Sequence, residues 1–199
     1  MKKGKLIVFE GVSGTGKETQ AKLLKDVLAR KGITSHIIFH PSAELKLLLS
    51  QWRKERRIDA ATEVYLLLAD RYDRVRQLIV PALSRGEWVI SLRSWVSALV
   101  YQGSNTNDRA WIAHEFSHFE PRPDYLFWFD ITPDGAIERI AKRHRETGEP
   151  MGKFETPKLL TDKRNAYARI LKTIPHTRIN AAESIDTIHK RIVESIINV

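Results

Sequence analysis

The sequence predicts an α/β fold: a five-stranded parallel sheet flanked by helices on both faces, with a short lid. Three observations carry this. Short, solidly apolar runs recur along the chain. Segments with helical periodicity separate them. The first apolar run opens directly into a glycine-rich loop that is followed by a helical pattern. Strands that are apolar throughout, rather than alternating, are those covered on both faces, and their alternation with helices argues for parallel pairing.

The strand candidates are Leu6–Phe9, Ile37–Phe39, Trp88–Ile90, Tyr125–Phe129 and, more weakly, Thr177–Ile179. Helices are predicted near 17–31, 43–52, 60–84, 94–102, 107–118, 133–145, 157–173 and 184–197. In the first, Leu24, Val27 and Leu28 share a face; in the last, Ile185, Ile188, Ile192 and Ile196 do. The segment 60–84 carries a long apolar stripe through Val64, Leu67, Leu68, Tyr72, Val75, Leu78 and Ile79. The helix at 107–118 stops before Pro121.

The 199 residues are 42% hydrophobic and 29% charged, enough to bury an ordinary core. They read as one domain spanning 1–199, or at most one plus a small lid. Cysteine is absent, which excludes disulfides, cysteine zinc sites and a thiol nucleophile. Thirty-three Lys and Arg against 24 Asp and Glu give a net charge of +9, which favours anionic partners. The apolar run at Leu6–Phe9 is too short for a signal peptide, and Glu10 ends it. No stretch approaches the ~20 apolar residues of a membrane span, so a soluble, cytoplasmic protein is expected, without a membrane partner.

The loop after the first strand reads Gly11-Val12-Ser13-Gly14-Thr15-Gly16-Lys17-Glu18-Thr19. It fits G-x-x-x-x-G-K in a strand–loop–helix context, the setting of a phosphate-binding P-loop. Glycines let successive N–H groups face one concavity, and the helix start adds positive potential. Lys17 supplies a mobile charge for the outer phosphates of ATP. A Ser or Thr that ligates Mg²⁺ usually follows the lysine; here it is Glu18. Glu18 either approaches the metal, directly or through water, or caps the helix while phosphates and water hold Mg²⁺.

Further along, more segments fall into a pattern. Phe9-Glu10-Gly11 leads into Gly16, Lys17, Thr19 and Gln20. Ala69-Asp70-Arg71 is followed by Val75-Arg76 and by Pro81-Ala82-Leu83-Ser84-Arg85-Gly86-Glu87-Trp88-Val89. Then come Ser97-Ala98-Leu99-Val100-Tyr101-Gln102-Gly103, Pro123-Asp124, Phe154-Glu155 and Ile179-Asn180-Ala181. Taken in order over nearly the whole chain, these resemble the thymidylate kinase family of P-loop nucleoside monophosphate kinases. The resemblance implies a P-loop nucleotide-kinase fold, ATP and Mg²⁺, and transfer of a phosphoryl group to a pyrimidine deoxynucleoside monophosphate, dTMP first. It assigns Arg71 and Arg93 to the acceptor, with Ser13, Ser97, Tyr101 and Gln102 near its sugar or base. A homodimer follows by family analogy.

The arginines have a reading of their own. Arg71 falls on the apolar stripe and needs an inward-facing anion, which is either a nucleotide or an internal carboxylate. Arg93 follows the third strand, at the sheet end where open α/β folds bind ligands. The segment 139–153 carries Arg139, Lys142, Arg143, Arg145 and Lys153, with Gly148 and Gly152. It is either a solvated helix end or, as the kinase resemblance implies, a lid at about 143–155 that closes over ATP and brings Arg143 or Arg145 to the transferring phosphate.

The chain departs from the family pattern at Ser13, Glu18, Leu92, Ala98 and Phe39-His40-Pro41. In particular, an arginine is missing after the second strand, and an Asp is missing before Arg93. These departures admit a second reading, a nucleotide-binding homologue with weak activity or another acceptor. Two further patterns compete. His114-Glu115-Phe116-Ser117-His118 matches the zinc-binding H-E-x-x-H, but no third ligand follows at a suitable spacing. Arg53-Lys54-Glu55-Arg56-Arg57 is basic, but its mixed charge reads as a solvated helix end, and no nucleic-acid partner is expected.

Overall fold

The computed structural model describes residues 3–56, 58–148, 152 and 154–197. Among them, five strands form one all-parallel sheet in the order β2-β3-β1-β4-β5. The strands are β1 (Leu6–Glu10), β2 (Ser35–Phe39), β3 (Trp88–Leu92), β4 (Tyr125–Asp130) and β5 (Thr177–Asn180). The five apolar runs are therefore strands, each one or two residues longer than expected. β2 begins at Ser35 and β5 runs to Asn180, because their outer positions are edge residues that need not be apolar.

The helices are α1 (Lys17–Arg30), α2 (Ala43–Glu55), α3 (Ala60–Arg74), α4 (Val80–Ser84), α5 (Trp95–Tyr101), α6 (Thr106–Ser117), α7 (Pro133–Thr147), α8 (Pro157–Ile170) and α9 (Ile185–Ile197). The single helix expected over 60–84 is interrupted. A π-helical turn, Val75–Ile79, joins α3 to α4. Pro81 explains the change: it cannot donate the next α-helical hydrogen bond, and a wider turn absorbs its ring. Side chains cap most starts. Ser42, Asp59, Ser94, Asn105, Thr132 and Thr156 each accept a backbone N–H at the head of their helix.

The central strand β1 is wholly buried, and Leu6, Ile7, Val8 and Phe9 pack in one core with Phe127, Phe129, Ile90 and Leu24. A second cluster joins α2, α3, α5 and α6 through Leu49, Val64, Leu67, Leu99, Ile112 and Phe116. Trp95, which follows β3, packs against both clusters and joins this helical layer to the sheet.

Candidate active site

β1 and β3 are neighbours, with Phe9 opposite Leu92. One residue further, the Arg93 amide donates to the Phe9 carbonyl at 2.9 Å. The loop after β1 and the arginine after β3 are thereby tied together at the sheet's C-terminal edge.

In the loop, Gly11 has φ 140°, and a Cβ there would lie 2.4 Å from the Phe129 carbonyl oxygen. Only glycine fits, so this strand exit demands the residue the motif supplies. Gly14 likewise leaves no room for a side chain against α7, where a Cβ would meet the Ala136 oxygen at 2.7 Å. Gly16 is the N-cap of α1, and no side chain accepts the first N–H groups of that helix. An uncapped helix start facing a glycine loop is an anion site.

Lys17 is buried, and its Nζ donates to the Val12 carbonyl (2.7 Å) and to Thr15 Oγ1 (2.8 Å). Thr15 Oγ1 donates in turn to the Val12 carbonyl. The ammonium is thus folded back onto its own loop and held by neutral oxygens. Burial, reinforced by Arg93, holds its pKa well below the ordinary lysine value. A group in that state gains from an incoming polyanion. Ser13 is half-buried, while Glu18 and Thr19 are exposed on the first turn of α1.

Arg93 adopts φ 75°, the left-handed region that a non-glycine residue enters only under constraint. Its NH1 donates to Ser97 Oγ and Tyr167 Oη, each at 3.2 Å, and its guanidinium lies 5.1 Å from the Tyr101 ring centroid. Among the described residues Arg93 has no carboxylate within ion-pair distance. By contrast Arg71, Arg53, Arg143 and Arg164 are all paired, with Glu120, Glu63, Glu155 and Asp130 respectively. A half-buried guanidinium held only by hydroxyls and a ring face is a place for an anion.

Behind Arg93 lies Glu10, which is fully buried. Its carboxylate accepts from the Ser94 amide and hydroxyl (2.8 Å each), from Ser97 Oγ (2.6 Å) and from Tyr167 Oη (2.8 Å).

Arg71 is completely buried, as its place on the apolar stripe required. Its anion in this structure is Glu120, at 2.8 Å from Nε and 2.6 Å from NH2, and NH1 reaches Ser91 Oγ at 3.0 Å. Gln102 donates to Glu63, which also takes two bonds from Arg53. Tyr101 meets Phe154 edge-on, with centroids 4.9 Å apart.

The lid expected at about 143–155 begins inside α7, which continues to Thr147; residues 149–151 and 153, including Lys153, lie outside the described residues. Arg143 donates to both oxygens of Glu155 (3.0 and 3.2 Å), and the Gly152 amide donates to the same carboxylate. Burial pushes Glu155 up, but the Gly152 amide, Arg143 and the adjacent Ser13 hydroxyl outweigh it and leave its pKa lowered. Arg143 is thereby held beside the phosphate loop, whereas Arg145 is exposed on the same helix.

Sequence reasoning did not single out Glu10, Glu120, Glu63 or Tyr167 as site residues. Glu10 alone carried a signal: a carboxylate ending an apolar strand at a phosphate loop must find donors inside the fold. The H-E-x-x-H pattern assembles no metal centre. His114 and His118 stack edge-on, with centroids 4.6 Å apart, and no group of three metal-ligating side chains occurs among the described residues.

Comparison with known proteins decides the family. The thymidylate kinase family model matches residues 9–192. The chain belongs to the thymidylate kinase family. It is 36% identical to the thymidylate kinase of Akkermansia muciniphila, across 85% of this chain and 80% of that one. It is 36% identical to the probable thymidylate kinase of Pyrococcus horikoshii, across 96% and 95%, and 34% identical to the thymidylate kinase of Buchnera aphidicola, across 94% and 92%. As a thymidylate kinase-family chain it is a nucleotide-binding transferase of the P-loop class.

Proposed function

We propose that the protein transfers the γ-phosphoryl group of ATP to dTMP, giving dTDP and ADP. The observation that carries this is the pairing of two candidate anion sites across adjacent strands: the P-loop with Lys17 after β1, and Arg93, without a carboxylate partner among the described residues, after β3. Family membership supplies the acceptor.

The chemistry follows from those charges. An oxygen of the dTMP phosphate forms a bond to the γ-phosphorus as the bond to the β-phosphate bridging oxygen breaks, and the electron pair leaves with ADP. The acceptor is already an anionic oxygen, so no strong base is required. Main-chain N–H groups of Gly11 to Lys17 hold the donor phosphates, and Lys17 exchanges the Val12 carbonyl for a phosphate oxygen. Arg93 fixes the acceptor phosphate in line, and Arg143 or Arg145 neutralises charge that develops on the transferring group.

Mg²⁺ fits as a metal carried mainly by phosphates and water. The protein offers the exposed carboxylate of Glu18, while the Glu10 carboxylate is already engaged by four hydrogen bonds. When bound, the metal would shield phosphate charge. A homodimer is proposed by family analogy; the exposed rings of Tyr65 and Tyr72 on α3 suit a partner surface. A cytoplasmic setting is likewise proposed; among the described residues no helix is long and apolar enough to cross a membrane.

The test is an ATP-coupled assay across dTMP, dUMP, UMP, CMP, AMP and GMP, with Lys17→Ala as control. Turnover with dTMP that is lost in the control supports the reading. ATP binding without product from any acceptor replaces it with the weaker alternative, a nucleotide-binding homologue.

A further inference from the structure

We propose that Tyr167 is a positioning residue for the acceptor phosphate: with Ser97 it relays the charge of Glu10 to Arg93 and sets that guanidinium where dTMP presents its phosphate. The inference rests on the function proposed above and adds to it a residue that lies outside every motif.

The argument starts from hydrogen bookkeeping. Glu10 is an acceptor, and the Ser97 and Tyr167 hydroxyls both spend their hydrogens on its Oε2, at 2.6 and 2.8 Å. Their oxygens then keep lone pairs for a donor on the far side. Arg93 NH1 is that donor, 3.2 Å from each. The two hydroxyl oxygens stand 2.9 Å apart, so one N–H group faces both. Tyr167 remains protonated throughout, because burial and the neighbouring Glu10 raise its pKa well above the ordinary phenol value.

The interposed hydroxyls explain why Arg93 is not quenched. Arg71, in direct contact with Glu120, forms a closed buried pair. Arg93 feels Glu10 through one hydroxyl layer. Its charge is stabilised enough to sit in a half-buried, positive-φ position, yet its fork is not locked onto a carboxylate. Tyr167 reaches this layer from α8, which follows Glu155, the partner of Arg143.

Tyr167→Phe tests this, since it deletes one hydroxyl and keeps the buried ring. The measurements are the dTMP dissociation constant without ATP by titration calorimetry, the KM for each substrate, and the unfolding temperature. The dTMP dissociation constant and KM are expected to rise roughly tenfold, the size of one hydrogen bond to a charged group, with the KM for ATP changed by less than about twofold. Ser97→Ala, a second way to thin the layer, should act in the same direction. A lower unfolding temperature with unchanged dTMP binding makes Tyr167 merely structural and overturns the inference, as does equal weakening of ATP and dTMP. If the unaltered enzyme turns over dTMP and Tyr167→Phe binds it equally well, this inference alone fails; if the unaltered enzyme neither binds nor phosphorylates dTMP, the functional reading fails and takes the inference with it.

Discussion

Arg71 and Glu120 face each other in the interior through two hydrogen bonds of 2.8 and 2.6 Å, with side-chain exposures of 0% and 5%. Two charges withdrawn from water to this depth depend wholly on one another. Glu120→Ala leaves the guanidinium unpaired, and a loss of about 3–5 kcal/mol in unfolding free energy is expected from urea titration. Arg71→Met combined with Glu120→Leu removes both charges and should restore most of that loss. If the double variant is as unstable as the single one, the pair is not what Glu120→Ala disrupts.

Lys17 is expected to trade stability for function. Lys17→Met should lower kcat by roughly 10²–10³-fold, as loss of a preorganised charge at the transferring group does. The same change should stabilise the nucleotide-free protein, because the native ammonium is buried against neutral oxygens. The pH dependence follows from the direction of the shift. With the native pKa held below 10.5, the unfolded chain binds the proton more tightly, so wild-type stability rises with pH between the native value and 10.5. The advantage of Lys17→Met should therefore shrink as the pH climbs towards 10.5, as read from denaturant midpoints of the two proteins side by side.

These relationships also mark what the sequence could and could not reveal. Leu6–Phe9 and Tyr125–Phe129 announce buried parallel strands because burial on both faces leaves no polar position, and the loop from Gly11 to Lys17 announces its ligand by its backbone demands. Arg71 was legible as an inward charge, but its partner was not, since Glu120 lies 49 residues away. Tyr167 meets Glu10 across 157 residues. No local period encodes such pairings; they are set only when β1, β3 and α8 pack. The π-helical turn at Val75–Ile79 was hidden for another reason: the apolar stripe runs through it unbroken.

Asp70 should contribute an acid-sensitive share of stability. Burial pushes its carboxyl up, but hydrogen bonds from His40 and Ser42 prevail and bring its pKa down to about 2. The unfolded chain, at the ordinary 3.8, binds the proton more tightly. The contribution is thus complete above pH 3.8 and is lost as the pH falls to about 2. Asp70→Asn should be less stable than wild type at neutral pH, and the gap should close over that interval. A gap that stays constant across it would place the stabilising contacts elsewhere.

Glu18 is the departure that brings a carboxylate to the proposed metal side, where Leu92 has lost one. It stands exposed on the first turn of α1, where an oxygen ligand can reach a phosphate-bound cation. Glu18→Gln should raise the Mg²⁺ concentration for half-maximal turnover several-fold while the unfolding temperature stays near that of wild type. An unchanged Mg²⁺ titration would leave Glu18 as a first-turn carboxylate that favours the helix dipole and nothing more.

The lid arginines are distinguished by what holds them. Arg143 shares both oxygens of Glu155, whose carboxylate also takes the Gly152 amide and faces Ser13 in the phosphate loop. Arg145 is exposed one turn's fraction further along α7. A guanidinium tethered beside the phosphate loop has only a short way to move when charge develops there. Arg143→Ala should therefore lower kcat by roughly 10²–10³-fold with little change in the KM for dTMP. Glu155→Gln, which keeps the arginine but loosens its tether, should lower kcat by less. If Arg145→Ala causes the larger loss under the same assay, the lid must rotate on closing and Arg145 is the group that reaches the transferring phosphate.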